Sequence, residues 1–187
     1  MYSEYIDYLK EKLNEHRFCH SLNVAEKSKE LAEIYGYDKE KAYLCGLLHD
    51  ICKNDSEENM LQIFLKFGII LDNVQEKVPL LWHSIAGAVL VKEKFGFDDI
   101  EFINAIRYHT TGRDNMTKLE KIVFLADVIS DDRDFNGVEK LREYSYQDLD
   151  LAVFECLKSS IANLSAKNAM IHVDTINAYN FIAAERM

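Results

Sequence analysis

His49 and Asp50 stand side by side in AYLCGLLHDICKND, residues 42–55, inside a run that is otherwise largely apolar. A carboxylate in a core costs several kcal/mol unless a cation or several donors meet it, so the pair demands a partner. Four more side chains capable of binding metal occupy similar settings: His20 in RFCHSLNVA, His83 in LLWHSIAGA, His109 in IRYHTTG and Asp127 in KIVFLADVI. Asp127 is the hardest to explain as an ordinary core residue, because its neighbours are apolar on nearly every side. A single buried histidine is more often a hydrogen-bonded core residue than a ligand, so the weight rests on the set. A divalent ion would satisfy His49, Asp50 and Asp127 together, and mixed imidazole and carboxylate donors suit iron, manganese, cobalt or zinc.

The elements that must position these groups are helical. The chain has one proline (Pro79) and seven glycines, and apolar residues recur three or four apart through most segments, with no convincing alternation of the kind a strand shows. The expected class is all-α, with helices near 3–15, 17–35, 39–52, 57–67, 80–95, 99–109, 118–130, 138–144, 147–167 and 174–186. Gly36, Gly68 and Gly96 end periodic segments, Thr117 with Glu120 forms a capping-box pattern, and Asp174 could cap the last helix. His49 and Asp50 then sit adjacent on a helix, about 100° apart around its axis. Tyr5, Tyr8, Phe64, Phe67 and Phe124 fall at helical spacing and are expected in the core.

A length of 187 residues fits a single domain, 1–187, without linker or repeat. The net charge of −10 disfavours nucleic acid and anionic membrane as partners, while a small anion remains compatible with local cations. The longest uncharged stretch, Val78–Val91, is too short to span a bilayer, and the start MYSEYIDYLKEKL does not read as a signal peptide. Cys19, Cys45, Cys52 and Cys156 show no paired spacing and are expected to be reduced core thiols of a cytoplasmic protein.

The order His20, then His49 with Asp50, then Asp127 resembles the HD-domain phosphohydrolases. The closer likeness is to the YqeK type of bacterial HD protein, the symmetrical diadenosine tetraphosphate hydrolases. RFCHS, LLHDICK, HSIAGA, HTTG, LADVISDDRDFNGVEKLRE and IHVDTINAYN carry it, from about residue 16 to 180. Asp131 and Asp132 depart from the proline-containing turn common there, and Val173 stands where proline often follows His172. The resemblance implies an HD helical bundle with its metal site in the core cleft, core motifs over about 16–135, and C-terminal helices completing the nucleotide pocket. It implies His20, His49, Asp50 and Asp127 as metal ligands, iron as the metal in one or two ions, and a loop at His172 touching the nucleoside.

Hydrolysis of a phosphoanhydride needs a nucleophile at neutral pH, which a metal supplies by lowering the pKa of bound water. It also needs cations for the phosphate charge. Arg17 lies three residues before His20, Lys53 three after Asp50, and Arg133 six after Asp127, each within reach of a ligand. His83 and His109 could ligate a second ion, bond a phosphate oxygen or protonate the departing nucleotide, and Thr110 could contact phosphate or simply end its helix. The expected activity is cleavage of diadenosine tetraphosphate to two ADP, with Asp50, Lys53, His83 and His109 nearest the reacting atoms. Arg17, Thr110, Asp127, Arg133 and His172 line the substrate. An HD hydrolase of another nucleotide, or a sensor without turnover, are the alternatives. A homodimer is left open.

Overall fold

A computed structural model describes residues 2–187. Among them are ten α-helices and no strand: α1 (Ser3–Lys12), α2 (Glu15–Ile34), α3 (Lys39–Leu48), α4 (Glu57–Phe67), α5 (Trp82–Phe95), α6 (Ile100–Tyr108), α7 (Lys118–Ile129), α8 (Val138–Gln147), α9 (Leu149–Ala166) and α10 (Val173–Glu185). Short 3-10 turns at Gln75–Lys77 and Pro79–Leu81 lead into α5. Among the described residues no helix is long and apolar enough to cross a membrane.

The middle of the bundle is α7, where Ile122, Val123, Phe124, Leu125, Ala126 and Ile129 are all buried. It packs against α2, α3, α6, α8 and α9, which explains why its sequence is apolar all round rather than on one stripe. Thr117 caps it by accepting from the Glu120 amide, as the capping-box spacing predicts. The Glu120 carboxylate, however, turns to Arg113, so only half of the box forms.

Helices α2 and α3 lie closely together. Ser21, Ala25, Ser28 and Ala32 form a ridge of small, buried residues along α2, and Gly46 of α3 sits against it. A Cβ on Gly46 would fall 2.5 Å from Ser28 Oγ and 2.8 Å from the Val24 carbonyl, so only glycine permits this approach. Gly87 does the same for α5 more gently: a Cβ there would meet methyl groups of Ile51 and Ile106 at 3.3 and 3.4 Å. These two contacts draw together the segments bearing His20, His49, His83 and His109.

Four expectations need correction. The predicted helix over 39–52 ends as an α-helix at Leu48. From His49 onward the chain runs in tight turns closed by three-residue bonds, Lys53 amide to Asp50 carbonyl (2.8 Å) and Asp55 amide to Cys52 carbonyl (3.1 Å). The N-cap of α10 is His172 rather than Asp174, its ring accepting from the Asp174 amide at 3.2 Å. Cys19 is exposed on the outer side of α2, whereas Cys45, Cys52 and Cys156 are buried. Phe67, the last residue of α4, is 37% exposed, while Phe64 and Phe124 are core and Tyr5 and Tyr8 are half-buried against Phe95.

Candidate metal centre

Three of the histidines are held by one local device. His49 and His109 are the C-cap residues of α3 and α6, and His83 follows the turn at Pro79–Leu81. In each, Nδ1 lies within hydrogen-bond distance of the carbonyl three residues earlier: Gly46 at 2.6 Å, Leu80 at 2.8 Å and Ile106 at 2.8 Å. A carbonyl can only accept, so Nδ1 carries the proton and donates. The bond also satisfies a carbonyl that a helix end leaves over. It fixes the tautomer, so that each Nε2 presents a lone pair, and it aims all three rings at one point.

That point is Asp50, which is almost fully buried. Its Oδ1 lies 3.1 Å from His83 Nε2 and 3.5 Å from His109 Nε2, and its Oδ2 lies 3.6 Å from His49 Nε2. His83 and His109 Nε2 are 3.1 Å apart, and His49 Nε2 is 3.8 Å from Asp127 Oδ1. Every atom in these contacts is an acceptor. Lys53, Arg17 and Arg133 bring donors to His83 Nε2, Asp50 Oδ2 and Asp127 Oδ1, but His49 Nε2 and Asp50 Oδ1 lack any hydrogen-bond partner among the described residues, and buried acceptors left in that state cost free energy. The distances are those of donors sharing a cation. Two ligands each about 2.1 Å from an ion stand about 3.0 Å apart at a right angle and about 3.4 Å apart in a tetrahedron.

The ligand atoms form three overlapping groups: His20, His49 and Asp50; His49, His109 and Asp127; and Asp50, His83 and His109. Asp50 joins the His20 side to the His83 and His109 side, so the cluster has donors for one ion or for two. The donor chemistry and the orphaned acceptors therefore fit a divalent metal.

Burial drives His49 and His83 down from the ordinary 6.5 to about 4, which keeps both rings neutral and able to ligate at neutral pH. Burial opposes ionisation of Asp50 as well, yet the polar groups gathered around it hold its carboxyl well below the usual carboxylate range. Burial likewise opposes ionisation of Asp127, and its polar neighbours outweigh it, holding this carboxyl low too.

The three predicted cations all arrive. Arg17 Nη1 lies 3.2 Å from Asp50 Oδ2, and Lys53 Nζ lies 3.3 Å from Asp50 Oδ1 and 3.0 Å from His83 Nε2. Arg133 reaches back from the turn after α7 and donates to both the Asp127 carbonyl (2.8 Å) and its Oδ1 (2.5 Å). This is the cation that Asp127 needs inside its apolar helix. Beside Lys53 and His83 opens a cleft of about 300 Å³ walled by Asp55, Met60, Pro79 and Leu80.

Two predicted contacts behave differently. Thr110 Oγ1 donates to Ser84 Oγ at 3.3 Å, tying the end of α6 to α5 next to His83 and His109. His172 belongs to another network, with Nε2 at 2.7 Å from Asp72 Oδ2 and 3.1 Å from Gln75 Nε2, and none of these partners is in the cluster. Sequence reasoning missed Asp132, whose Oδ2 lies 2.8 Å from His20 Nδ1. It missed Arg142 as well, which bonds the carbonyls of Ile129, Ser130 and Arg133 and so staples the turn after α7. The one signal for Asp132 was an acidic residue where the resembling family commonly turns differently.

The HD domain family model matches residues 17–132. Three curated relatives carry the name symmetrical bis(5'-nucleosyl)-tetraphosphatase. That of Bacillus subtilis (strain 168) is 36% identical over 176 residues, 94% of each chain, and that of Staphylococcus aureus (strain NCTC 8325 / PS 47) is 39% identical over 177 residues, 92% of this chain and 91% of the relative. A crystal structure from Clostridium acetobutylicum, described as a predicted HD superfamily hydrolase involved in NAD metabolism, superimposes with a TM-score of 0.95. It is 38% identical, covering 99% of this chain and 98% of that one.

Proposed function

The chain belongs to the HD-domain family, and on that premise we propose that it is a metal-dependent hydrolase that cleaves diadenosine tetraphosphate symmetrically, water and the dinucleotide giving two ADP. The observation that carries this reading is the likeness over more than nine tenths of both chains to relatives named for that one activity. We take 1–187 as one domain, in which α8–α10 complete the bundle around the matched segment.

We assign His20, His49, Asp50 and Asp127 to a divalent ion, and Asp50, His83 and His109 to a second ion or to phosphate. A cation held by these residues lowers the pKa of a water and draws charge from phosphoryl oxygens. Family resemblance favours iron, and the donor set also accommodates manganese, cobalt or zinc. Asp50, with one oxygen toward each half of the cluster, keeps the two halves in register. Arg17, Lys53 and Arg133 neutralise the charge that builds on the phosphoryl oxygens as the central phosphoanhydride bond breaks and its bridging oxygen leaves with one ADP. His83 and His109 have their Nδ1 protons committed to carbonyls, which leaves Nε2 as the atom each ring turns to the site and suits a ligand better than an acid. We assign one nucleotide arm to the cleft beside Lys53, with Thr110 at its inner edge. A role for His172 would require the loop it anchors to approach the bound nucleoside. The buried thiols and the charge of −10 accord with a cytoplasmic protein whose partner is a small dinucleoside polyphosphate rather than nucleic acid or membrane.

Product chromatography tests the reading. With Fe²⁺, Mn²⁺ or Co²⁺ supplied, diadenosine tetraphosphate should give ADP alone. ATP plus AMP, or no turnover while a deoxynucleotide, guanosine tetraphosphate or NAD is consumed, would refute it.

A further inference from the structure

His20 is oriented differently from the other three cluster histidines. His49, His83 and His109 each give the Nδ1 proton to a backbone carbonyl three residues earlier, on their own segment. His20 lies inside α2, where the preceding carbonyls are already taken by the helix's own amides, and no such carbonyl is free. Its Nδ1 instead meets Asp132 Oδ2 at 2.8 Å, a residue 112 positions away in the turn after α7. Its Nε2 faces Asp127 Oδ1 at 2.9 Å, on the side of the cluster.

We propose that Asp132 is a positioning residue for the metal centre: it accepts the Nδ1 proton of His20 and so fixes the ring with Nε2 turned toward the ion. The inference rests on the metal-binding part of the reading above.

Three observations carry it. The carboxylate is itself held in place: Asn23, one helical turn after His20, donates to Asp132 Oδ1 at 3.1 Å, leaving Oδ2 for the imidazole. The turn that presents it is stapled by Arg142, whose guanidinium bonds the Ile129, Ser130 and Arg133 carbonyls at 3.0, 2.8 and 2.9 Å. The same turn sends Arg133 to Asp127. One stapled segment therefore orients a histidine ligand on α2 and a carboxylate ligand on α7 together. A carboxylate behind a ligating imidazole also raises the basicity of the ring, which a backbone carbonyl does less strongly. Asp131, the neighbouring residue, makes no such contact. Its side chain is 80% exposed and pairs only with Lys27.

The test is spectroscopic titration of metal-stripped protein with Co²⁺, alongside thermal unfolding of the same metal-free samples. Asp132→Leu, which keeps the approximate shape and removes the acceptor, should weaken Co²⁺ binding by about 10–100-fold. Asp132→Asn, which can still accept from Nδ1, should stay within about fivefold of wild type, and Asp131→Ala should match wild type. Wild-type affinity in Asp132→Leu, an equal loss in Asp132→Asn and Asp132→Leu, or an equal loss in Asp131→Ala would each overturn the proposal. Should Asp132→Leu fail to fold, Asn23→Ala replaces it: freeing the carboxylate should weaken Co²⁺ binding measurably, and an unchanged affinity would overturn the role. If wild type binds Co²⁺ but leaves diadenosine tetraphosphate intact, the substrate reading fails and this inference stands.

Discussion

Replacing Gly46 by alanine should destabilise the protein even though alanine is the better helix former by about 1 kcal/mol. The new Cβ would lie 2.5 Å from Ser28 Oγ, 2.8 Å from the Val24 carbonyl and 3.0 Å from Ala25 Cα. The serine hydroxyl can rotate, but the other two atoms are backbone. To restore ordinary contact the Val24 carbonyl would have to retreat by about 0.6 Å, which moves α2 as a body away from α3. Overpacking costs about 1–3 kcal/mol, and a clash against two backbone atoms belongs to the upper half of that range, about 2–3 kcal/mol, so the net loss after the propensity gain is about 1–2 kcal/mol. For a chain of this length each kcal/mol lowers Tm by about 2–4 °C, giving a fall of about 2–8 °C in metal-free protein followed by circular dichroism. Because α2 bears His20 and α3 leads into His49, Co²⁺ affinity should fall as well. Gly87→Ala is the control: its nearest neighbours are two methyl groups at 3.3 and 3.4 Å, which can shift, and its cost should be under about 1 kcal/mol. A rise in Tm for Gly46→Ala, or equal losses at both positions, would show that the close approach of α2 and α3 does not govern the site.

Asp50→Ala should leave the bundle helical, since Arg17 and Lys53 can hydrate, but it should remove the carboxylate whose two oxygens face the two halves of the cluster; turnover should drop by about 10³-fold or more, a loss of several kcal/mol of transition-state stabilisation, with metal content falling in elemental analysis. Lys53→Met should lower kcat/KM by about 10–100-fold while Co²⁺ affinity stays near wild type, and an unaltered kcat/KM would remove Lys53 from the phosphate contacts. In metal-free protein His49 and His83 bind protons near pH 4 when folded and near pH 6.5 when unfolded. The unfolded chain therefore holds more protons between those values, and stability must fall as pH is lowered through that window, by about 1.5 kcal/mol for each histidine between pH 6.5 and 5. Urea unfolding at pH 7, 6 and 5 measures this, and a stability that is flat or rises toward pH 5 would contradict neutral, buried rings.

Much of this architecture is legible in the sequence because its local signals agree with the packing. Helix periods, the glycines that end helices and the cap at Thr117 all depend on residues near in sequence, and the helices lie close to the predicted spans. The six metal-capable side chains stood out because polar groups in apolar runs demand partners, and the structure supplies those partners from one another. What was not legible depends on residues distant in sequence. The bond from His20 to Asp132 spans 112 positions, and nothing local to either residue announces it. Arg142 reads as one more charge on a polar helix until α8 folds against α7. The end of α3 was misjudged for a different reason: the apolar pattern continues through Ile51 and Cys52, which are buried, although the backbone there has tightened into turns. His172 kept its place in a loop, but Asp72 and Gln75, about 100 residues away, claim it for the structure of that loop.

The most direct test of the central claim is a titration of metal-stripped protein with Fe²⁺ under anaerobic conditions, in the presence of diadenosine tetraphosphate, with ADP release followed by chromatography. ADP should be absent without metal and should appear in proportion to the metal added, saturating at one or two ions per chain. Undiminished release of ADP from protein shown by elemental analysis to hold no metal would contradict the account.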